Sequence, residues 1–169
     1  GALDYLVFER LAERTIALAQ QARRADPGAG YDPMLERRMR AVLPVQARKG
    51  FRIISNMGAA NPAAAARKCL EIARELGISG LKIAAVTGDD VLAAVSGSDF
   101  PILETGQPAS GFGRPFLSAN AYTGAGPIVS ALAAGADVIL TGRAADPAMF
   151  LAPQIHEFGW SMDDWQSLG

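Results

Sequence analysis

Short apolar runs alternate with helical segments along the chain, and this order constrains the fold more than any other feature. The apolar runs do not alternate with polar residues, which is typical of strands buried on both faces. We predict strands at 4–8, 51–55, 81–86, 116–119 and 137–140. Strands separated by helices indicate a parallel sheet. The sequence therefore predicts an α/β fold, a doubly wound parallel sheet with helices on both faces. Part of a β/α barrel is the alternative, because its local pattern is the same.

The helical segments carry start and stop signals. We predict helices at 9–24, from 32–33 onward, 61–76, 91–95, 126–134 and 146–158. Asp32 before Pro33 is a typical helix start, and Pro44 is expected to kink or end that helix. The buried stripes of the first and third helices are predicted to be Leu11, Thr15, Leu18 and Ala22, and Ala66, Cys69, Leu70, Ala73 and Leu76, respectively.

Composition narrows the class of protein. The chain has 169 residues, half of them hydrophobic, and a formal net charge of -1, which fits one α/β domain over residues 1–169. The charge argues against a nucleic-acid partner, because phosphates require a basic face. The single cysteine excludes an internal disulfide framework, and no apolar run reaches the roughly 18 residues of a membrane span. We expect a cytoplasmic protein, and a fragment of a longer core domain, because the chain opens directly on a strand.

Polar loops follow the predicted strands, and they are the candidate functional surface. Ligands of open α/β sheets and of barrels bind at the carboxyl ends of the strands, so both folds point to the same loops. The candidate substrate-binding residues are Asn56, Gly58, Asn61, Asn120, Tyr122, Gly124, Thr141, Arg143 and Asp146. Glycines let a ligand approach the backbone, and the helices that begin at Asn61 and Pro127 offer free N–H groups to an anion.

Charged groups in two of these loops indicate the chemistry. Asp89 and Asp90 are the candidate catalytic pair, because adjacent carboxylates can hold a divalent metal or exchange protons. The alternative is that one of them caps the next helix and the other is solvated. Arg143 can hold a carboxylate or phosphate through two parallel hydrogen bonds. The alternative is an ion pair with Asp146 or Asp89.

Several specific site classes are not indicated. The sequence has no GxGxxG or Walker motif, so nucleotide binding lacks specific support. The only histidine, His156, lies on the last predicted helix, away from the loops, and it is assigned to packing or the surface. Residues 96–115 form a long irregular stretch, which we interpret as a lid, a hairpin or a binding loop.

Seven segments, taken together and in order, resemble the acyclic terpene utilisation (AtuA) family. They are residues 3–15, 30–33, 56–62, 88–90, 119–125, 140–146 and 155–160. The strongest match is the segment Ala119-Asn120-Ala121-Tyr122-Thr123-Gly124-Ala125. Family members are longer, so the resemblance implies an internal piece of their core domain, with further site residues on the remainder.

The resemblance implies a role in the breakdown of acyclic terpenes such as citronellol and geraniol. The resemblance does not imply a particular cofactor for the protein. A divalent metal ion and a CoA-linked substrate are both compatible with it. One hypothesis is an enzyme acting on a small carboxylate or an acyl-CoA-like substrate. The other is a non-catalytic binding or assembly module of a terpene-degradation complex. The expected partners are the substrate, the remainder of the family domain and a second copy of the chain.

Overall fold

A four-stranded parallel sheet organises residues 3–169, the part of the chain that the computed structural model describes. The strands are β1 (Tyr5–Phe8), β2 (Arg52–Ser55), β3 (Ile83–Val86) and β4 (Val138–Thr141). They lie in the order β1-β2-β4-β3, and all three pairings are parallel. The predicted α/β fold with a parallel sheet is confirmed.

Helices cover both faces of the sheet, as predicted. They are α1 (Glu13–Ala25), α2 (Leu35–Lys49), α3 (Pro62–Glu75), α4 (Leu92–Ser96), α5 (Gly126–Ala133), α6 (Asp146–Phe158) and α7 (Trp165–Leu168). One hydrophobic core joins α2 and α3 to one face, and a second core joins α5 and α6 to the other. Ile53 and Ile54 are fully buried on opposite faces, because consecutive side chains of a strand alternate. None of the helices within residues 3–169 has the length and apolar character needed to cross a membrane.

The stripe predicted for α3 is right at Cys69 and Ala73 and wrong at Leu70 and Leu76. Cys69 and Ala73 are buried, whereas Leu70 and Leu76 are 37% and 38% exposed. Ile72 takes the buried position instead. Burial raises the pKa of the Cys69 thiol to about 12, so this cysteine is a packing residue.

Helix α1 packs differently from the other long helices. Its predicted stripe is right at Leu11, which is buried just before the helix, and wrong at Thr15, Leu18 and Ala22, which are exposed. Its Ile16 and Ala19 pack against Ala59 and Ala60, which belong to the loop after β2. The helix therefore lies against the carboxyl-end loops of the sheet, and Leu18 is 52% exposed. A helix that rests on loops buries a narrower face than one that rests on a sheet, so part of its apolar stripe stays open.

The strand predicted at 116–119 is wrong, and so is the alternative that Pro44 ends its helix. Residues 116–119 do not form a strand: Asn120 makes an isolated antiparallel bridge with Asp90, beyond the end of β3, where only loop backbone is available for pairing. Helix α2 continues through Pro44 to Lys49. Buried Leu43 and Gln46 on either side of the proline hold the helix in place, which offsets the lost hydrogen bond.

The long irregular stretch contains a hairpin-like turn, one of the three interpretations given above. Pro101 and Pro108 form an antiparallel bridge, and the Ile102 backbone N–H donates to Gln107 O at 2.8 Å. The turn is largely exposed, with Leu103 95% accessible. After this turn the chain returns to the edge of the sheet at Asn120.

Candidate functional site

The loops that follow the four strands lie at one edge of the sheet, because all the strands are parallel. A further segment joins them through two bridges, Asp90 with Asn120 and Thr123 with Ala144. We call this edge the rim. It consists of residues 9–12, 56–61, 87–91, 120–126 and 142–146. The structure thus brings together the four segments predicted from the sequence, although residues 120–126 do not follow a strand of their own.

Asp89 ties three parts of the rim together. Its carboxylate is buried, and Oδ2 accepts hydrogen bonds from the Arg143 backbone N–H at 2.8 Å and from Asn120 Nδ2 at 2.9 Å. Gly142 has no room for a side chain, since a Cβ there would lie 2.4 Å from Asp89 Oδ1. The backbone oxygen of Asp89 also accepts from Ala121 N at 2.8 Å. Asp89 therefore fixes the backbone on which Arg143 stands.

The side chain of Asp90 has different partners from that of Asp89. It pairs with Arg23 of α1 at 3.1 Å and accepts from the Leu92 backbone N–H at 3.2 Å, at the start of α4. The two carboxylates thus do not share one ligand position. Within residues 3–169 there is no group of three or more His, Cys, Asp or Glu side chains that could hold a metal ion.

The Arg143 guanidinium is the buried positive charge of the rim, with its side chain only 7% exposed. Nη1 donates to the backbone oxygen of Leu11 at 2.6 Å, and Nη2 donates to the Glu13 carboxylate and to the Tyr122 hydroxyl. The Tyr122 ring also faces the guanidinium, with Cζ 4.5 Å from its centroid. The partner carboxylate is thus Glu13, whereas Asp146 is exposed in the first turn of α6.

The carboxylate of Glu13 covers Arg143 from the solvent side. Its side chain is 82% exposed. The pKa of Glu13 is lowered, first by its own backbone N–H at the start of α1, then by the charge of Arg143 and the Tyr122 hydroxyl. A lowered pKa keeps the carboxylate ionised through the neutral range, so an anion already occupies the open side of the guanidinium.

Residues 56–61 are held by their own hydrogen bonds. The buried Asn56 accepts from the Arg10 backbone N–H at 2.7 Å and donates to Glu9 Oε1 at 3.0 Å. Asn61 caps α3, accepting from Ala64 N at 3.2 Å, and its Nδ2 donates to two backbone oxygens of the α1–α2 connection. The amino end of α3 is therefore occupied by its own cap.

The remaining candidate residues shape the backbone of the rim. A Cβ at Gly58 would lie 2.4 Å from Thr141 O, so the loop after β2 touches the last residue of β4. The Thr141 hydroxyl is buried and donates to Gly142 O at 3.0 Å. Gly124, in contrast, has no neighbouring atom within 4 Å of the position that an added Cβ would take.

An apolar groove opens beside the rim, between α1 and residues 29–34, with a volume of about 420 Å³. We call it the α1 groove. Its apolar and small lining residues include Leu11, Leu18, Ala19, Ala22, Ala29 and Met34. Its charged lining residues are Arg10 and Asp32, which form an ion pair at 3.5 Å. Leu11 belongs to both features, because it lines the groove and its backbone oxygen accepts from Arg143.

Sequence reasoning missed Glu13, Gln20 and the groove. The sequence does carry a signal for Glu13, because an acidic residue in the first turn of a helix is stabilised by the helix dipole. Gln20 is buried on α1, and its Nε2 is the one buried side-chain nitrogen or oxygen in the described chain without a hydrogen-bond partner. The apolar stripe of α1 is visible in the sequence, but a stripe of this kind equally predicts a helix face buried in the core.

The match to a family covers the full length of the chain. The model of the family described as "Acyclic terpene utilisation family protein AtuA" matches residues 1–169. No curated protein and no solved structure matches the chain.

Proposed function

The chain belongs to the acyclic terpene utilisation (AtuA) family, and from this premise we propose that its rim binds a small carboxylate or acyl-CoA-like substrate. Membership associates the chain with the utilisation of acyclic terpenes. The proposal adds the site and the kind of ligand: an anionic group received at the carboxyl ends of the strands, with Arg143 as its main partner.

The observation that carries the proposal is the state of Arg143. A buried guanidinium is strongly favoured to keep an anionic partner. Its present partner is Glu13, which is 82% exposed at the amino end of α1 and belongs to a different part of the chain. A substrate carboxylate can replace Glu13 without leaving the guanidinium unpaired. The Tyr122 hydroxyl stands beside the same Nη2 atom and offers a second polar contact.

The two aspartates have separate roles in this proposal. Asp89 positions Arg143, because its Oδ2 already accepts two hydrogen bonds from the rim. Asp90 is the exposed member of the pair, and it is the candidate general base or metal ligand. Its side chain is 40% exposed and is released if Arg23 turns toward solvent.

Binding of 3-methylbutanoate, measured by calorimetry, tests the role of Arg143. We expect Arg143→Met to weaken binding by roughly 10–100-fold, since hydrogen bonds to a charged group contribute about 1.5–3 kcal/mol. Glu13→Gln is expected to tighten binding, because it removes the competing carboxylate. Arg67→Gln, a change at an exposed site on α3, is the matched control and should leave the affinity as it is. Equal affinities of the Met variant and the wild-type protein would remove Arg143 from the role.

A second candidate function is the non-catalytic binding or assembly module. Two aromatic side chains near the last helices favour it: Phe158 is 67% exposed and Trp165 is 77% exposed. Exposed aromatic surface is typical of protein interfaces. Capture of a carboxylase subunit by the full-length protein, together with no turnover of any terpenoid carboxylate or CoA ester, would support this function over the enzyme.

A further inference from the structure

We propose that the α1 groove holds the acyclic hydrocarbon chain of the ligand whose carboxylate is bound at Arg143. The inference rests on the proposed function, since it extends the same ligand from the rim into the neighbouring groove. It assigns a second part of the site and a ligand class: carboxylates with an aliphatic chain of about the length found in acyclic terpenoids.

The lining of the groove fits a hydrocarbon chain. A volume of about 420 Å³ lies in the range of small-molecule sites, which are concave and mostly apolar. The small side chains of Ala19, Ala22 and Ala29 create the space, and Leu11 and Leu18 supply apolar contact area. The charged pair of Arg10 and Asp32 is already satisfied internally, so the groove offers little to a polar chain.

Leu11 is the residue that the groove and the Arg143 site share, because it lines the groove and its backbone oxygen accepts from Arg143 Nη1. Glu13, at the start of the helix, contacts Arg143, and Leu11 just before it lines the groove. Thr15, Leu18 and Ala22 then follow on one face of the helix. They extend over about 10 Å along its axis. In the proposed pose the hydrocarbon chain leaves the carboxylate at Arg143, passes Leu11 and lies along these residues.

The opposite wall of the groove is preformed. Gly30 has a φ of 98°, and a Cβ there would lie 2.7 Å from Arg23 Cβ, so a glycine lets this wall approach α1. The Gly30 backbone oxygen accepts from Ala60 N at 2.9 Å, and Asp32 N donates to Met57 O at 2.9 Å. Both bonds fasten the wall to the loop after β2. A wall held in this way lowers the ordering cost of binding a flexible chain.

The test compares citronellate with 3-methylbutanoate in calorimetric titrations of the protein. Each buried methylene strengthens binding about fourfold, so the five additional carbons of citronellate should tighten binding by at least about 30-fold. Ala22→Trp fills the groove from an exposed position of α1 and should reduce this preference at least about tenfold, with 3-methylbutanoate binding as before. Gln21→Trp, at the exposed neighbouring position outside the groove, is the matched control and should keep the preference.

A second variant keeps the test valid if Ala22→Trp does not fold. Leu18→Asp places a charge in the groove from a half-exposed position, and it should reduce the preference for citronellate without changing the thermal unfolding midpoint by more than a few degrees. Wild-type preference for citronellate in both groove variants would overturn the inference. If Arg143→Met still lost both ligands in that case, the proposed function would stand. Loss of citronellate in the groove variants, with full binding in Arg143→Met, would support the groove and contradict the carboxylate site.

Discussion

An Asp89→Ala variant is expected to lose about 3 kcal/mol of the free energy of unfolding, because two hydrogen-bond donors at the rim lose their acceptor. They are the Arg143 backbone N–H and the Asn120 side-chain amide, at 2.8 and 2.9 Å from Asp89 Oδ2. A buried donor left without a partner costs about 1–3 kcal/mol. Urea denaturation, followed by the fluorescence of the two tryptophans, measures the loss.

Asp90→Ala is the matched control for this prediction. The neighbouring carboxylate is exposed, and its pair with Arg23 contributes at most about 1 kcal/mol. We therefore expect Asp89→Ala to lose clearly more of the free energy of unfolding than Asp90→Ala. Similar losses from both variants would show that Asp89 does not hold the rim together.

Gly58→Ala should destabilise the protein by about 2–3 kcal/mol, as is typical of overpacking in a closed site. A Cβ at this position would lie 2.4 Å from the backbone oxygen of Thr141 and 3.0 Å from the Pro62 side chain. The first of these is main chain at the end of β4, so it cannot move aside by changing rotamer. The melting temperature from a calorimetric scan reports the loss.

A second glycine of the rim provides the comparison. Gly124 has no atom within 4 Å of the same added methyl group. We expect Gly124→Ala to change the free energy of unfolding by no more than about 0.5 kcal/mol. A loss at Gly124 as large as that at Gly58 would contradict the close packing of the loop after β2 against the end of β4.

The sheet and most of the helices were predictable because their signals are local. Buried strands of a parallel sheet consist of contiguous apolar residues, as in residues 52–55 and 138–141. Asn61 before Pro62 marks the start of α3, and its side chain forms the cap that such a pair predicts. Once the strands are parallel, their carboxyl ends must share an edge. The gathering of the candidate loops therefore followed from the order of the elements.

The partners within the rim could not be predicted, because they depend on contacts between distant parts of the chain. Arg143 and Glu13 are 130 positions apart. Pairing them requires α1 to lie against the carboxyl-end loops, and its sequence equally suits a helix packed on the sheet. The same uncertainty explains why Leu18 was wrongly predicted to be buried. Its side chain is apolar, but it lines an open groove. Residues 116–119 have strand-like composition, yet the neighbouring backbone offers them a single bridge at Asn120.

Amide chemical shifts of the uniformly ¹⁵N-labelled protein, titrated with 3-methylbutanoate, test most directly whether a carboxylate binds at the rim. We expect residues from separate parts of the sequence to shift together and to saturate at one ligand concentration. These are the amides of residues 56–61, 89–91, 120–123 and 142–145. The amides at the opposite edge, residues 50–52, 77–82 and 135–137, should keep their positions. Shifts confined to that opposite edge, with the rim unchanged, would contradict binding at the rim.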